Sequence, residues 1–305
     1  MKALTVNKAL RLLAAALFLS LNIAAQLPNL TLQPAKPIIF AVVYDGSTIE
    51  PIAYIEKGEL MRAESGGDTR DSLIAFSNTY YKPKSTYTLV FGGAADGKVQ
   101  INRTYSPGDC SGNSTDVSTK PKKSVLKGSV MALATNADIR LTSEGVRRRP
   151  TPAERAEIEA LVRAEFRKQK GSAKIMKLRN HNLTAVDVDR DGQMEFIGSY
   201  WIAPEDNERR LLFFIAEKSG TGKYSLVLSD FQRYTPENIM SEDPKDLDGG
   251  VYHELLLDVF DVNGDGVSEI FTTTQAFEGR NFHVYSREGD KWVKNFETYN
   301  YRCVY

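Results

Sequence analysis

The chain has 305 residues, with 39 basic and 39 acidic side chains and two cysteines. That balance lacks the basic excess a nucleic-acid partner requires, and no stretch after the first 25 residues is apolar enough to span a bilayer. The length suits one large domain or two smaller ones, each able to bury a core.

Lys2, Lys8 and Arg11 accompany an apolar run over residues 12–21, and the small residues Ala24 and Ala25 follow. This is the pattern of a secretory signal peptide over residues 1–25. An apolar core of about ten residues is short for a retained membrane anchor. Cleavage after Ala25 removes three basic residues and no acid, so 36 basic groups remain against 39 acidic ones and the formal charge becomes −3. No cysteine follows the cleavage point, so a lipid-anchored form is not expected. The expected location is the periplasm or the cell exterior. In that oxidising setting Cys110 and Cys303 either pair or persist as two free thiols, and pairing is the prediction. Closing so long a loop contributes about 3–5 kcal/mol in the chain-entropy model.

Residues 26–36 are polar and contain proline, as a flexible lead-in would. A β-rich module is expected over 37–149. Within it, residues 38–44 are β-branched and aromatic and predict a strand, stopped by Asp45 and Gly46. Residues 86–91 and 98–103 predict a hairpin around a six-residue loop at 92–97. The Ser-, Gly-, Pro- and Lys-rich residues 106–124 predict an exposed loop, and residues 125–135 a further strand. The run Arg147, Arg148, Arg149 is expected to be a solvated linker.

One helix is predicted over about 151–170. Thr151 is placed to cap it, Pro152 takes the first helical position, and Glu154 completes a capping box. Ile158, Leu161, Val162, Glu165 and Phe166 form its stripe, Arg167, Lys168 and Lys170 suit the negative end of its dipole, and Gly171 stops it. This helix is expected to link the first module to a repeat region over 172–305.

The repeat is the most informative feature. Asp187, Asp189, Asp191 and Glu195 stand at positions 1, 3, 5 and 9 of one loop, with Gly192 at position 6. Asp261, Asn263, Asp265 and Glu269, with Gly266, reproduce that spacing. A row of carboxylates repels itself, whereas Ca2+ takes six to eight oxygens from such a loop. After each loop the same order follows: strands at 196–201 and 211–216, a turn at 220–223 and a strand at 224–228, then again 270–274, 282–285, 288–291 and 292–296. A unit of this size predicts a propeller blade or a similar stacked sheet, although two units are too few to close a propeller.

An EF-hand is excluded, since position 12 is Gly198 or Thr272 rather than Glu. The spacing resembles the calcium loops of FG-GAP-type repeats, the family that builds the integrin α-subunit propeller. The resemblance covers residues 180–305. It implies two Ca2+ sites: Asp187, Asp189, Asp191 and Glu195 with the backbone carbonyl of Gln193, and Asp261, Asn263, Asp265 and Glu269 with that of Val267. The chain departs from the family in carrying Glu rather than Asp at position 9. The Phe-Gly and Gly-Ala-Pro signatures do not accompany either loop. The first site offers four carboxylates and the second three plus an amide, so the first is expected to bind more tightly.

Catalytic motifs are weak. Neither His181, His253 nor His283 forms a zinc-type pair, and His253 and Glu254 are expected at the surface or a sheet edge. Ser124 and Lys127 match an acylating Ser-x-x-Lys without its companions. Gly220, Gly222 and Lys223 read as a hairpin turn rather than a phosphate loop. The expectation is therefore a mainly β, antiparallel protein with two blade-like repeats and structural calcium, in a binding or adhesion role toward a protein or glycan. The competing expectation is a secreted hydrolase with its active site in the 37–149 module.

Overall fold

The computed structural model describes residues 35–105, 108, 111–137, 146–169, 177–220 and 222–303. The signal peptide, most of the lead-in, Cys110, and Lys170 and Gly171 beyond the connecting helix lie outside them. The chain is mainly β, built on three antiparallel sheets. Among the described residues no helix is long and apolar enough to cross a membrane.

The first sheet holds β1 (Ile38–Val43), β2 (Thr48–Glu56), β3 (Glu59–Arg62), β4 (Thr86–Phe91), β5 (Ala94–Ile101), β6 (Thr115–Pro121) and β7 (Ala132–Thr135). Its order is β1-β7-β4-β5-β6-β2-β3, and β1 also pairs with β2, so six strands close into a barrel and β3 extends one wall. This explains why β1 is apolar at every position. Ile38, Phe40 and Val42 join the core inside the barrel, while Ile39, Ala41 and Val43 join a second core outside it.

Helix α1 (Arg70–Tyr80) covers the inner core with Phe76 and Tyr80, whose rings pack near Phe40 and Tyr54. This second helix is absent from the sequence expectation. Its signals are local: Thr69 caps the amide of Ser72, and Leu73, Phe76, Ser77 and Tyr80 recur on one buried face. The β4–β5 hairpin also differs from expectation. Phe91 pairs with Ala94, so the turn is only Gly92-Gly93, both at positive φ as a tight primed turn requires. Residues 115–121 form a barrel strand rather than loop, since Thr115 and Val117 are buried. Of residues 125–135 only Ala132–Thr135 is strand.

Helix α2 (Pro152–Lys168) has the expected capping box, with Thr151 and Glu154 bonded reciprocally. Its buried residues Ile158, Val162 and Phe166 pack on the second sheet, formed by β8 (Arg147–Arg148), β9 (Arg179–Val186), β10 (Glu195–Glu205), β11 (Glu208–Lys218) and β12 (Tyr224–Tyr234). The third sheet is the meander β13 (Glu254–Phe260), β14 (Glu269–Ala276), β15 (Gly279–Glu288) and β16 (Lys291–Tyr301). β9–β12 and β13–β16 are each a four-strand meander whose acidic loop joins the first strand to the second, so one strand before each loop adds to the three expected after it.

Four layers result: helix α2, the second sheet, the third sheet and the barrel. Ile197, Phe213 and Ile215 meet Leu256, Ile270 and Tyr285 between the two meanders. Leu257, Phe271, Phe282 and Val284 meet the outer barrel wall, so one apolar core joins the 37–149 region to the second repeat. Residues 36–305 cluster as one unit.

Arg147 sits at the joint of these layers and is no solvated linker residue. Its side chain is 3% exposed and lies 3.2 Å from the fully buried Asp258. It donates to the carbonyls of Met131 and Leu257 and stacks over Phe91 at 4.5 Å. A β-bulge between Leu256 and Asp258 accompanies the turn of Asp258 toward the barrel, where the amide of Gly92 donates to both carboxylate oxygens. Arg148, by contrast, pairs with Glu154 at the surface.

Candidate metal centre

The first acidic loop leaves β9 after Val186 and returns as β10 at Glu195, and these two residues face each other across the ladder. The chain must reverse within the loop, and it does so with Arg190 and Gly192 at positive φ. Backbone amides wire the carboxylates in place. Gly192 donates to Asp187 at 3.1 Å, Asp191 to Asp189 at 3.3 Å, Gln193 to Asp191 at 2.7 Å, and Val188 to Glu195 at 2.8 Å.

The second loop repeats this wiring position by position. Glu269 faces Phe260, and Gly264 and Gly266 take the positive φ values. Gly266 donates to Asp261 at 3.1 Å, Asp265 to Asn263 at 2.8 Å, Val267 to Asp265 at 2.8 Å, and Val262 to Glu269 at 2.8 Å. The duplication extends from the sequence to the backbone hydrogen bonds.

The two loops differ at their centres. In the first, carboxylate oxygens of Asp187, Asp189 and Glu195 all lie within 4.8 Å of one another, the one such group among the described residues. Asp187 Oδ1 is buried there without a hydrogen-bond partner. Glu195 is 4% exposed; burial, reinforced by the charges of Asp189, Glu217 and Asp187, pushes its pKa up to about 8. Clustered carboxylates with an orphaned buried oxygen fit a hard cation, which would satisfy the oxygen and remove the repulsion. Asp191 stands apart from the trio. It is exposed, and the side-chain amide of Gln193 occupies its second oxygen at 2.9 Å.

In the second loop the amide of Asn263 takes the central place. Its Nδ2 donates to Asp265 at 3.0 Å and to Glu269 at 3.4 Å. Asp261 accepts from Gly264 at 2.7 Å as well as from Gly266, so no oxygen of that loop is left buried and alone. Burial pushes Glu269 up to about 7, a smaller displacement than that of Glu195.

Three residues against the first loop escaped the sequence reading, because two come from the second meander and one from the far end of β11. Arg287 of β15 lies 3.6 Å from Asp189 and pairs with Glu217 of β11. The indole of Trp292 donates to the same Glu217 at 2.6 Å. The second meander therefore supplies a cation and a ring to the rim of the first loop.

His253 and Glu254 stand at the start of β13, an edge strand of the third sheet, but neither is at the surface. His253 is fully buried, its Nε2 3.1 Å from the Leu247 carbonyl and its ring 4.2 Å from that of His181. Burial and the neighbouring His181 lower its pKa to about 3. Glu254 is buried as well. Both belong to the interior because β13 begins beneath the 3-10 turn Pro244–Gly249, whose Leu247 is fully buried.

Ser219 and Lys223 close a hairpin turn, with Ser219 N donating to the Lys223 carbonyl at 2.9 Å. Cys303 is disulfide-bonded. No family model, curated protein or solved structure matches the chain.

Proposed function

We propose that this is an exported calcium-binding protein in which the metal rigidifies the bend between the first two strands of each meander, in a structural or adhesion-type role. The observation that carries this reading is the convergence of Asp187, Asp189 and Glu195 around an unpartnered buried oxygen. Asp187, Asp189, Asp191, Glu195 and the carbonyl of Gln193 are the proposed ligands of the tighter ion. Asp261, Asn263, Asp265, Glu269 and the carbonyl of Val267 would hold the weaker one, because Asn263 already fills the centre of that loop. The spacing of both loops supports kinship with FG-GAP-type repeats, with the two meanders as blade-like units. Export is supported by the disulfide at Cys303, which belongs to an oxidising compartment.

A ligand that binds only the folded form stabilises it by mass action, by about 2.7 kcal/mol at a concentration one hundred times Kd. Thermal unfolding in saturating Ca2+ and in chelator tests the proposal. A higher midpoint in Ca2+ for the wild type, reduced in Asp187→Ala to what the second loop alone provides, is the expected result. Coincident transitions for the wild type would refute it.

A further inference from the structure

The facing surfaces of the two meanders are apolar near the acidic loops and polar at the other end of the β13–β14 hairpin, where Glu254 pairs with Thr274. A cavity of about 200 Å³ lies there, between β10–β12 and β13–β16. We propose that it binds a neutral, hydroxyl-rich ligand the size of one hexose ring.

The wall is built. Glu254 accepts from Thr272 at 2.6 Å, from Tyr285 at 2.8 Å and from Nδ1 of His283 at 3.1 Å. Those three donors hold Glu254 as a carboxylate despite its burial and fix the His283 ring. Nε2 of His283 is left without a hydrogen bond, its nearest acid being Glu297 at 3.8 Å. Ser199, only 2% exposed, and Asn281 also line the cavity, and neither makes a side-chain hydrogen bond. Lys294 lines it too and has no carboxylate partner among the described residues. Ser199, Asn281 and Nε2 of His283 thus face one space with hydrogen-bonding capacity that the protein leaves to an occupant.

The occupant's chemistry follows from the lining. The lining offers a hydroxyl, an amide and an imidazole nitrogen, and a ligand hydroxyl can donate to or accept from such groups. Lys294 supplies one ammonium and Asp230 one carboxylate, whose Oδ1 accepts from Gln232 at 2.8 Å, while the second lining carboxylate, Glu254, is already held by its three donors. A charged ligand would therefore meet a like charge on one side. Tyr234 and Tyr252, stacked on one another at 5.3 Å and 13°, also line the cavity and add aromatic surface suited to the C–H side of a sugar ring. The volume falls below the roughly 300 Å³ at which pockets for drug-sized ligands begin, which favours a single ring over a chain.

Saturation-transfer NMR on the full chain in excess Ca2+ tests this, using glucose, galactose, mannose and N-acetylglucosamine, with glucosamine and glucose 6-phosphate as charged controls. Because the cavity uses neither acidic loop and the metal is supplied throughout, its failure and that of the calcium proposal are separable. At least one neutral sugar should bind with Kd near 1 mM and the charged analogues more weakly, and Asn281→Ala and Lys294→Ala should each weaken it about tenfold. Lys294 is exposed, so its variant keeps the fold and gives a readout even if Asn281→Ala unfolds. No transfer from any neutral sugar at about 50 mM, equal binding by both variants, or tighter binding of a charged analogue would overturn the proposal, leaving the cavity a site for water only.

Discussion

The backbone amide of Ser268 donates to the carbonyl of Val188 at 2.8 Å. This bond ties position 8 of the second acidic loop to position 2 of the first, so the two bends are one mechanical unit. An ion that fixes the first loop should slow the opening of the second. Amide exchange at Ser268 is expected to slow at a Ca2+ level that fills the tighter first loop alone, and that part of the effect should vanish in Asp187→Ala. Exchange that responds only within residues 187–195 would show that the loops open independently.

The two loops share their wiring and differ at position 3. Asn263 places an amide where Asp189 places a carboxylate, and that amide bridges Asp265 and Glu269. Asn263→Asp removes the bridge and supplies a fourth carboxylate. Titration calorimetry should then report two tight sites where the wild type reports one tight and one weak. The metal-free variant should melt lower than the metal-free wild type, since two carboxylates lose their internal donor.

The ion-free carboxylates also set a pH dependence. Glu195 moves from its usual 4.5 to about 8 and Glu269 to about 7, because burial disfavours their charged forms. A raised acid pKa means the folded chain prefers the protonated form. That preference costs nothing below pH 4.5, and stability is lost as pH rises toward 8. Ca2+ binds the carboxylate form and offsets the loss. The gap in melting temperature between calcium-loaded and chelated protein should therefore widen from pH 5 to pH 8. A gap that stays flat across that window would contradict this account.

Arg147 and Asp258 join the barrel to both meanders. Removing one partner leaves the other charge buried and alone, which typically costs about 3–5 kcal/mol. Arg147→Met should lower stability by that order in urea unfolding. The double variant Arg147→Met, Asp258→Leu should recover part of the loss, although the amides of Gly92 and Val259 then lose their acceptor. A loss below about 1 kcal/mol in the single variant would place this pair with ordinary surface ion pairs.

Local chemistry was legible in the sequence and long-range closure was not. The capping box at Thr151 and Glu154, the apolar run of β1 and the repeated strand order after each acidic loop are written within a few residues of one another. Helix α1 was equally local, with Thr69 before Leu73, Phe76 and Tyr80, but polar neighbours such as Arg70, Asp71 and Asn78 mask its stripe. Closure of the barrel rests on β1 pairing with both β2 and β7, and no local period encodes that. Arg147 reads as solvated because its partner lies over a hundred residues away, at Asp258. Arg287, 98 residues from Asp189, is hidden from any inspection of the first loop for the same reason, and Glu217 because it lies two strands further on.

The central claim concerns one position in space, between Asp187, Asp189 and Glu195. Anomalous scattering from crystals grown in Ca2+ measures it directly. The account predicts a peak about 2.3–2.6 Å from oxygens of all three residues. No peak there at saturating Ca2+, or a peak bound by one carboxylate alone, would contradict it.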